Sequence, residues 1–229
     1  MLPQAHYVRT RTAPTGAYSL LVELQRRAAI DSADYVQKCM EHAIALGSRY
    51  KLLDFAMSKM TVDGIVAEFG VWTGESINHI ARTMSSLRGS NMTVYGFDSF
   101  EGLKEDWRGN DSPKGAFSVG GRLPLVESNV TLVKGWFDET LPRFATENAK
   151  PFSFVHVDSD TFEAAETILR ILGDRIIPGT VIVFDEYFGY RGWRVGEYKA
   201  WSNFVDSKKL AYEYLGFSTE SVAVKIVGS

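Results

Sequence analysis

The sequence predicts an α/β fold, an open sandwich in which a mostly parallel seven-stranded sheet is covered by helices on both faces. Three observations carry that reading: strand-like and helix-like segments alternate from residue 65 onward, the strand-like ones are near-continuous apolar runs, and the last two are joined by only Ser218-Thr219-Glu220. Alternation with apolar strands marks a parallel sheet, because crossover helices bury both of its faces. A three-residue connection is too short for a crossover and demands a C-terminal antiparallel hairpin.

Taken in order, residues 17–60 read as a helical prelude, since Leu20, Leu21, Leu24 and then Tyr35, Val36, Met40, Ala43 and Ile44 recur at three- and four-residue steps. Asp31 or Ser32 is the expected cap of a second helix, Gly47 interrupts the pattern, and Tyr50, Leu53, Phe55, Ala56 and Met60 suggest a third helix. This N-terminal extension, residues 1–62, leads into the α/β part, residues 63–229, and the two are expected to form one structural domain. Strands are expected at 65–69, 92–97, 130–133, 152–157, 180–184, 211–217 and 221–227, with helices at 75–87, 138–144, 162–172 and 196–205. Between Ser99 and Asn129 the chain is aperiodic and rich in Gly and Pro, the signature of a functional lid, and Trp107 and Phe117 give it apolar weight.

Composition narrows the partners. A net charge of -3 with no basic run argues against nucleic acid and leaves small molecules. Cys39 is the only cysteine, which excludes an intramolecular disulfide and a Cys-based zinc site and fits a reducing cytoplasm. Met1 to Thr15 carry Arg9 and Arg11 but lack the apolar centre of a secretory signal, and no run reaches the length of a membrane span. The expectation is a soluble, cytoplasmic protein.

The chemistry begins at residues 65–76, where an apolar strand closes on Glu68 and a turn containing Gly70 and Gly74 opens a helix with Ser76 in its first turn. Such a turn brings backbone N–H groups and a hydroxyl to a nucleotide-type ligand, and the missing third glycine disfavours a dinucleotide pyrophosphate. In open α/β sheets the ligand crevice lies beyond the carboxyl ends of the strands. There the residues are acidic: Glu68, then Asp98, then Asp158 and Asp160, then Asp185 and Glu186. Asp98 sits where a carboxylate grips ribose hydroxyls. Asp158, Asp185 and Glu186 form an oxygen-only set whose mutual repulsion calls for a hard cation, Mg²⁺ before Ca²⁺. The plainer alternatives are a helix cap for Asp158 or Asp160, an ion pair of Asp185 with Arg191 or Arg194, and a solvated Glu186. His156 and His79 are read as ordinary packing or helix-face residues.

Four segments in order, AEFGVWTGES, YGFDSFEGL, LVKGWFDETLP, and HVDSDTFEAAETIL followed by GTVIVFDEYFGYRGW, make residues 49–227 resemble the Rossmann-like class I S-adenosylmethionine-dependent methyltransferases, and among them the macrocin O-methyltransferase (TylF) family. The resemblance implies that Gly70, Gly74 and Ser76 hold the methionine part of S-adenosylmethionine, that Asp98 binds its ribose, and that Ser99, Phe100, Gly135, Trp136 and Phe137 border its adenosine. It further implies Mg²⁺ on Asp158, Asp185 and Glu186, with Asp160 as general base. Two departures bear on the acceptor: Glu186 stands where many relatives have aspartate, and Thr161-Phe162 replaces a pair ending in tyrosine.

The implied reaction is methyl transfer to a hydroxyl of a sugar or natural product. Trp107, Phe117, Tyr187, Tyr190 and Trp193 either wall the acceptor or belong to the core. The rivals are a metal-independent N- or carboxyl-methyltransferase, a nicotinamide enzyme and a non-catalytic scaffold. The apolar periodicity of the prelude suits either a homodimer interface or a cap over the substrate.

Overall fold

The computed structural model describes residues 19–89 and 92–228. The expectations placed on residues 1–18, including Arg9, Arg11 and the start of the prelude at Ala17, lie outside the described residues. The elements run α1 (Leu20–Cys39), β1 (Ile44–Ala45), α2 (Arg49–Met57), β2 (Ile65–Phe69), α3 (Glu75–Arg88), β3 (Val94–Asp98), β4 (Val130–Lys134) and α4 (Phe137–Glu147). They continue as β5 (Phe152–Val157), α5 (Phe162–Leu172), β6 (Val181–Phe184), α6 (Glu197–Lys208), β7 (Ala211–Phe217) and β8 (Val222–Gly228).

All seven expected strands are present, and β1, a two-residue strand parallel to β7, makes an eighth. The sheet order is β1-β7-β8-β6-β5-β2-β3-β4. Only β8 is reversed, lying antiparallel to both β6 and β7. Period-two alternation splits each strand between two cores: Ile65, Ala67 and Phe69 of β2 face the α4–α5–α6 side, while Val66 joins Leu53, Ile80 and Phe154 on the α2–α3 side. Glu68 and His156 are register partners on β2 and β5, so their side chains share one face of the sheet.

The prelude differs from the expectation. A single 20-residue helix, α1, runs straight through Asp31 and Ser32. Neither caps anything: Ser32 donates back to the Ala28 carbonyl and accepts from the Gly189 N–H, while Asp31 pairs with Arg194 at 2.7 Å. Tertiary partners have overridden a local helix-cap signal. Tyr35 of α1 packs its ring edge-on against Trp193, Tyr198 and Tyr214, and its hydroxyl lies 2.6 Å from that of Tyr214. Helix α2 starts at Ser48, whose hydroxyl accepts the Lys51 N–H, and buries Leu52, Leu53, Ala56 and Met57 completely. Among the described residues no helix is long and apolar enough to cross a membrane.

Candidate active site

The turns after β2, β3, β4, β5 and β6 surround one cavity of about 570 Å³, a size that suits a nucleoside-bearing small molecule. Gly70, Ser76, Asp98, Ser99, Gly135, Trp136, Phe137, Asp158, Asp160 and Glu186 all line it, so most of the residues singled out in the sequence converge. The long segment after β3 contributes the wall formed by Gly102 to Glu105, Trp107 and Phe117. It is tied to itself by the Leu103 N–H to Ala116 carbonyl bond and by Phe100, whose carbonyl accepts from Gly121.

The glycine turn is built by backbone proximity. At Gly70, φ is +97°, and an added Cβ would sit 1.6 Å from the Asp158 carbonyl oxygen, so glycine is required where the β2 and β5 turns touch rather than where a ligand approaches. Asp98 secures the same turn: Oδ2 accepts the N–H groups of Val71 (2.8 Å) and Trp72 (2.7 Å), and Oδ1 accepts that of Phe100 (2.6 Å). Three of its lone-pair sites are thus filled by backbone, which leaves less for a ribose than a free carboxylate offers.

Three sequence expectations, Glu68, Gly74 and Phe100, need correction. Glu68 does not line the cavity; it is fully buried, and its Oε1 lies 2.8 Å from His156 Nδ1, its cross-strand neighbour. Gly74, at φ +87°, turns toward Pro124, and Phe100 is buried in the α2–α3 core. Asp185 stands behind the cavity wall, 6% exposed, with Oδ2 held by Arg49 Nη1 at 2.7 Å and Oδ1 accepting the Ser221 hydroxyl at 3.0 Å. Its ion partner is therefore neither Arg191 nor Arg194, which pair with Asp111 and Asp31. Of the five aromatics, Phe117 and Trp107 line the cavity, Trp107 also belonging to the core, and Tyr187, Tyr190 and Trp193 belong to the core alone.

One oxygen each of Asp158 and Asp185 gathers with a His156 ring nitrogen, and the oxygens of Asp158, Asp160 and Glu186 form a second group, the atoms of each group lying within 4.8 Å of one another. Burial first, and then the charge of neighbouring carboxylates, pushes the three carboxyls of the second group well above the usual carboxylate range. Glu186 Oε2 is shielded and has no hydrogen-bond partner. Asp160 adopts φ +64°, a left-handed conformation that aspartate tolerates better than most residues, as functional turns often require. Beside this group, His156 Nε2 faces Asp185 Oδ1 at 3.6 Å. Burial opposes the imidazolium, yet the facing Asp185 carboxylate and the Glu68 bond and charge prevail and push His156 up to about 10. Burial likewise raises Asp185, but the facing His156 and the Arg49 guanidinium outweigh it and hold this carboxyl below its ordinary value. His79 is tied to Asp54 at 2.7 Å and does not line the cavity.

Arg49 was not visible as a site residue. It is the first residue of α2, lines the cavity, and lies 3.7 Å from Asp158 as well as 2.7 Å from Asp185. No local motif announces it; only the fold brings the prelude to the strand ends.

A mostly parallel α/β sheet with one reversed strand near its end, and a glycine turn and acidic strand ends around one cavity, defines the Rossmann-like methyltransferase architecture. The chain belongs to the methyltransferase-domain family, whose model matches residues 67–187. It is 26% identical over 171 residues to the 8-demethyl-8-(2,3-dimethoxy-alpha-L-rhamnosyl)-tetracenomycin-C 4'-O-methyltransferase of Streptomyces olivaceus, covering 67% of this chain and 59% of that protein. It is 25% identical to the mycinamicin III 3''-O-methyltransferase of Micromonospora griseorubida over 66% of this chain and 61% of that one. The chain thus spans about three fifths of the length of these relatives. Among solved structures, the calicheamicin methyltransferase CalS11 superposes with a TM-score of 0.65 at 20% identity, covering 90% of this chain and 89% of that one. The O-methyltransferase NovP does so with a TM-score of 0.57 at 18% identity, covering 78% and 79%.

Proposed function

We propose that this protein transfers a methyl group from S-adenosylmethionine to a hydroxyl of a glycoside-type natural product or its sugar precursor. The observation that carries the reading is the convergence, on one cavity, of the Asp98-fastened glycine turn with the Asp158–Asp160–Glu186 carboxylates. The names of the curated relatives, both sugar O-methyltransferases, support the acceptor class.

The residues present fit the methyl donor. Eight acidic side chains against three basic ones line the cavity, which favours a cationic sulfonium. Ser76 and the free N–H groups at the start of α3 suit the amino-acid end, and Trp136 with Phe137 offers apolar surface to the base. When bound, the donor supplies an activated methyl group.

A divalent cation also fits. Ligand oxygens around Mg²⁺ lie about 3 to 4 Å apart, given bonds of about 2 Å, and the three carboxylates are grouped on that scale with one shielded oxygen left without a partner. Asp158, Asp160 and Glu186 would hold the ion, with Asp185 kept from it by Arg49 unless that pair opens. Such an ion lowers the pKa of a bound hydroxyl and fixes its position.

The chain's own residues then divide the work. Asp160 takes the acceptor's hydroxyl proton on its carboxylate. Trp107 and Phe117 exclude water from the reacting end. Residues 19–62 of the extension act as a cap, since α2 delivers Arg49 to the cavity wall.

Calorimetric titration with S-adenosylhomocysteine, with Mg²⁺ or EDTA, followed by a screen of hydroxylated glycosides, tests this. Micromolar binding and product formation are expected. Absence of binding under every condition sinks the methyltransferase reading.

A further inference from the structure

Glu197, the first residue of α6, is fully buried and does not line the cavity. Burying a carboxylate is costly unless its oxygens find donors. Here three donors serve: Oε1 accepts the backbone N–H of Ser159 at 3.0 Å and its hydroxyl at 3.1 Å, and Oε2 accepts the backbone N–H of Glu186 at 3.3 Å. Ser159 stands between Asp158 and Asp160 in the turn after β5, and Glu186 lies in the turn after β6. One side chain therefore spans the two turns that carry all three clustered carboxylates.

The choice of an acid is informative. Both oxygens must accept, so a glutamine of the same shape would point an amide N–H at one of these backbone N–H groups and lose that tie. The start of α6 has no slack to compensate, because a Cβ on Gly196 would meet the Tyr190 hydroxyl at 2.2 Å.

We infer that Glu197 is a positioning residue that sets the separation of the β5 and β6 turns, and through it the spacing of Asp158, Asp160 and Glu186. The inference rests on reading those three as the ion- and proton-handling group, but its geometry can be tested without turnover.

The test uses the full chain carrying Glu197→Gln, with amide hydrogen exchange by mass spectrometry, Mn²⁺ titration by paramagnetic resonance, and S-adenosylhomocysteine titration. Exchange should rise about tenfold at the amide of Ser159 or of Glu186, whichever faces the new amide nitrogen, matching the loss of one charge-assisted bond. Mn²⁺ affinity should fall about 10- to 100-fold, the usual effect of removing a group that orients metal ligands. S-adenosylhomocysteine affinity should not change. Ser159→Ala, which removes only the hydroxyl contact, should shift Mn²⁺ affinity in the same direction by less, and it serves if the glutamine variant does not fold. Wild-type exchange and wild-type Mn²⁺ affinity in either folded variant overturn the inference, as does a rise in exchange spread over the whole chain. Faster local exchange in a protein whose wild type binds no Mn²⁺ keeps the positioning role and removes the ion reading instead.

Discussion

The β3 turn and the paired β5 and β6 turns place the same residue type at equivalent strand ends, yet they solve opposite problems. Asp98 is surrounded by donors, with three backbone N–H groups within 2.8 Å. Asp158, Asp160 and Glu186 are short of them: Arg49 approaches Asp158 no closer than 3.7 Å, and one Glu186 oxygen has no partner. A carboxylate satisfied by its own backbone stiffens a turn before any ligand arrives. A group left short of donors stores repulsion that only a proton or a cation relieves. The number of N–H groups in reach, not the residue type, decides which role an aspartate takes.

The largest expected effect falls on the donor-poor side. Asp160→Asn should lower kcat by about 10²- to 10⁴-fold, the range for losing a positioned base, with S-adenosylhomocysteine affinity retained; transfer of a labelled methyl group measures it, and an unchanged kcat removes Asp160 from the proton path. On the donor-rich side, Asp98→Ala should cost about 2 to 3 kcal/mol, because bonds from N–H groups to a charged acceptor are among the stronger ones. Urea unfolding checks this, and a wild-type midpoint would mean that the turn does not depend on its carboxylate.

A pH series sharpens the contrast without mutation. Asp158, Asp160 and Glu186 bind protons on folding. Their stabilising contribution is complete below the ordinary carboxyl value of about 4 and is lost as pH rises through the raised values. His156, raised to about 10, acts in the same direction. The metal-free protein should therefore lose thermal stability between about pH 5 and 9, and saturating Mg²⁺ should flatten that slope. A slope that Mg²⁺ leaves untouched contradicts a cation at the three carboxylates. The smallest effect belongs to Arg49→Gln, about 1 kcal/mol in the metal-free protein after allowing for solvent screening of a partly exposed guanidinium, and less once Mg²⁺ is present.

Much of this was legible because it is local. Apolar runs fixed the seven longer strands, and the residues just past them fixed the acidic strand ends. What escaped the sequence depends on distance. Ser32 carries a cap signal, but Gly189 and the Ala28 carbonyl claim its hydroxyl inside α1. Strand β1 is too short to show periodicity. Arg49 and Glu197 reach the site from α2 and α6, so no spacing within a motif reveals them. The partners of Asp185 escaped for the same reason: Arg49 and Ser221 lie 136 and 36 residues away in sequence.

The reversed β8 has a consequence for how the molecule is made. It comes last among the strands in the chain but third in the spatial order, between β7 and β6. While the chain emerges from the ribosome, β6 therefore presents an open edge of buried residues, Val181 to Phe184, until residues 222–228 arrive to pair with it. An unpaired apolar edge invites association with other chains. Completion of the sheet waits for residues 222–228, and nascent chains stalled before Val222 should be the ones that chaperones hold.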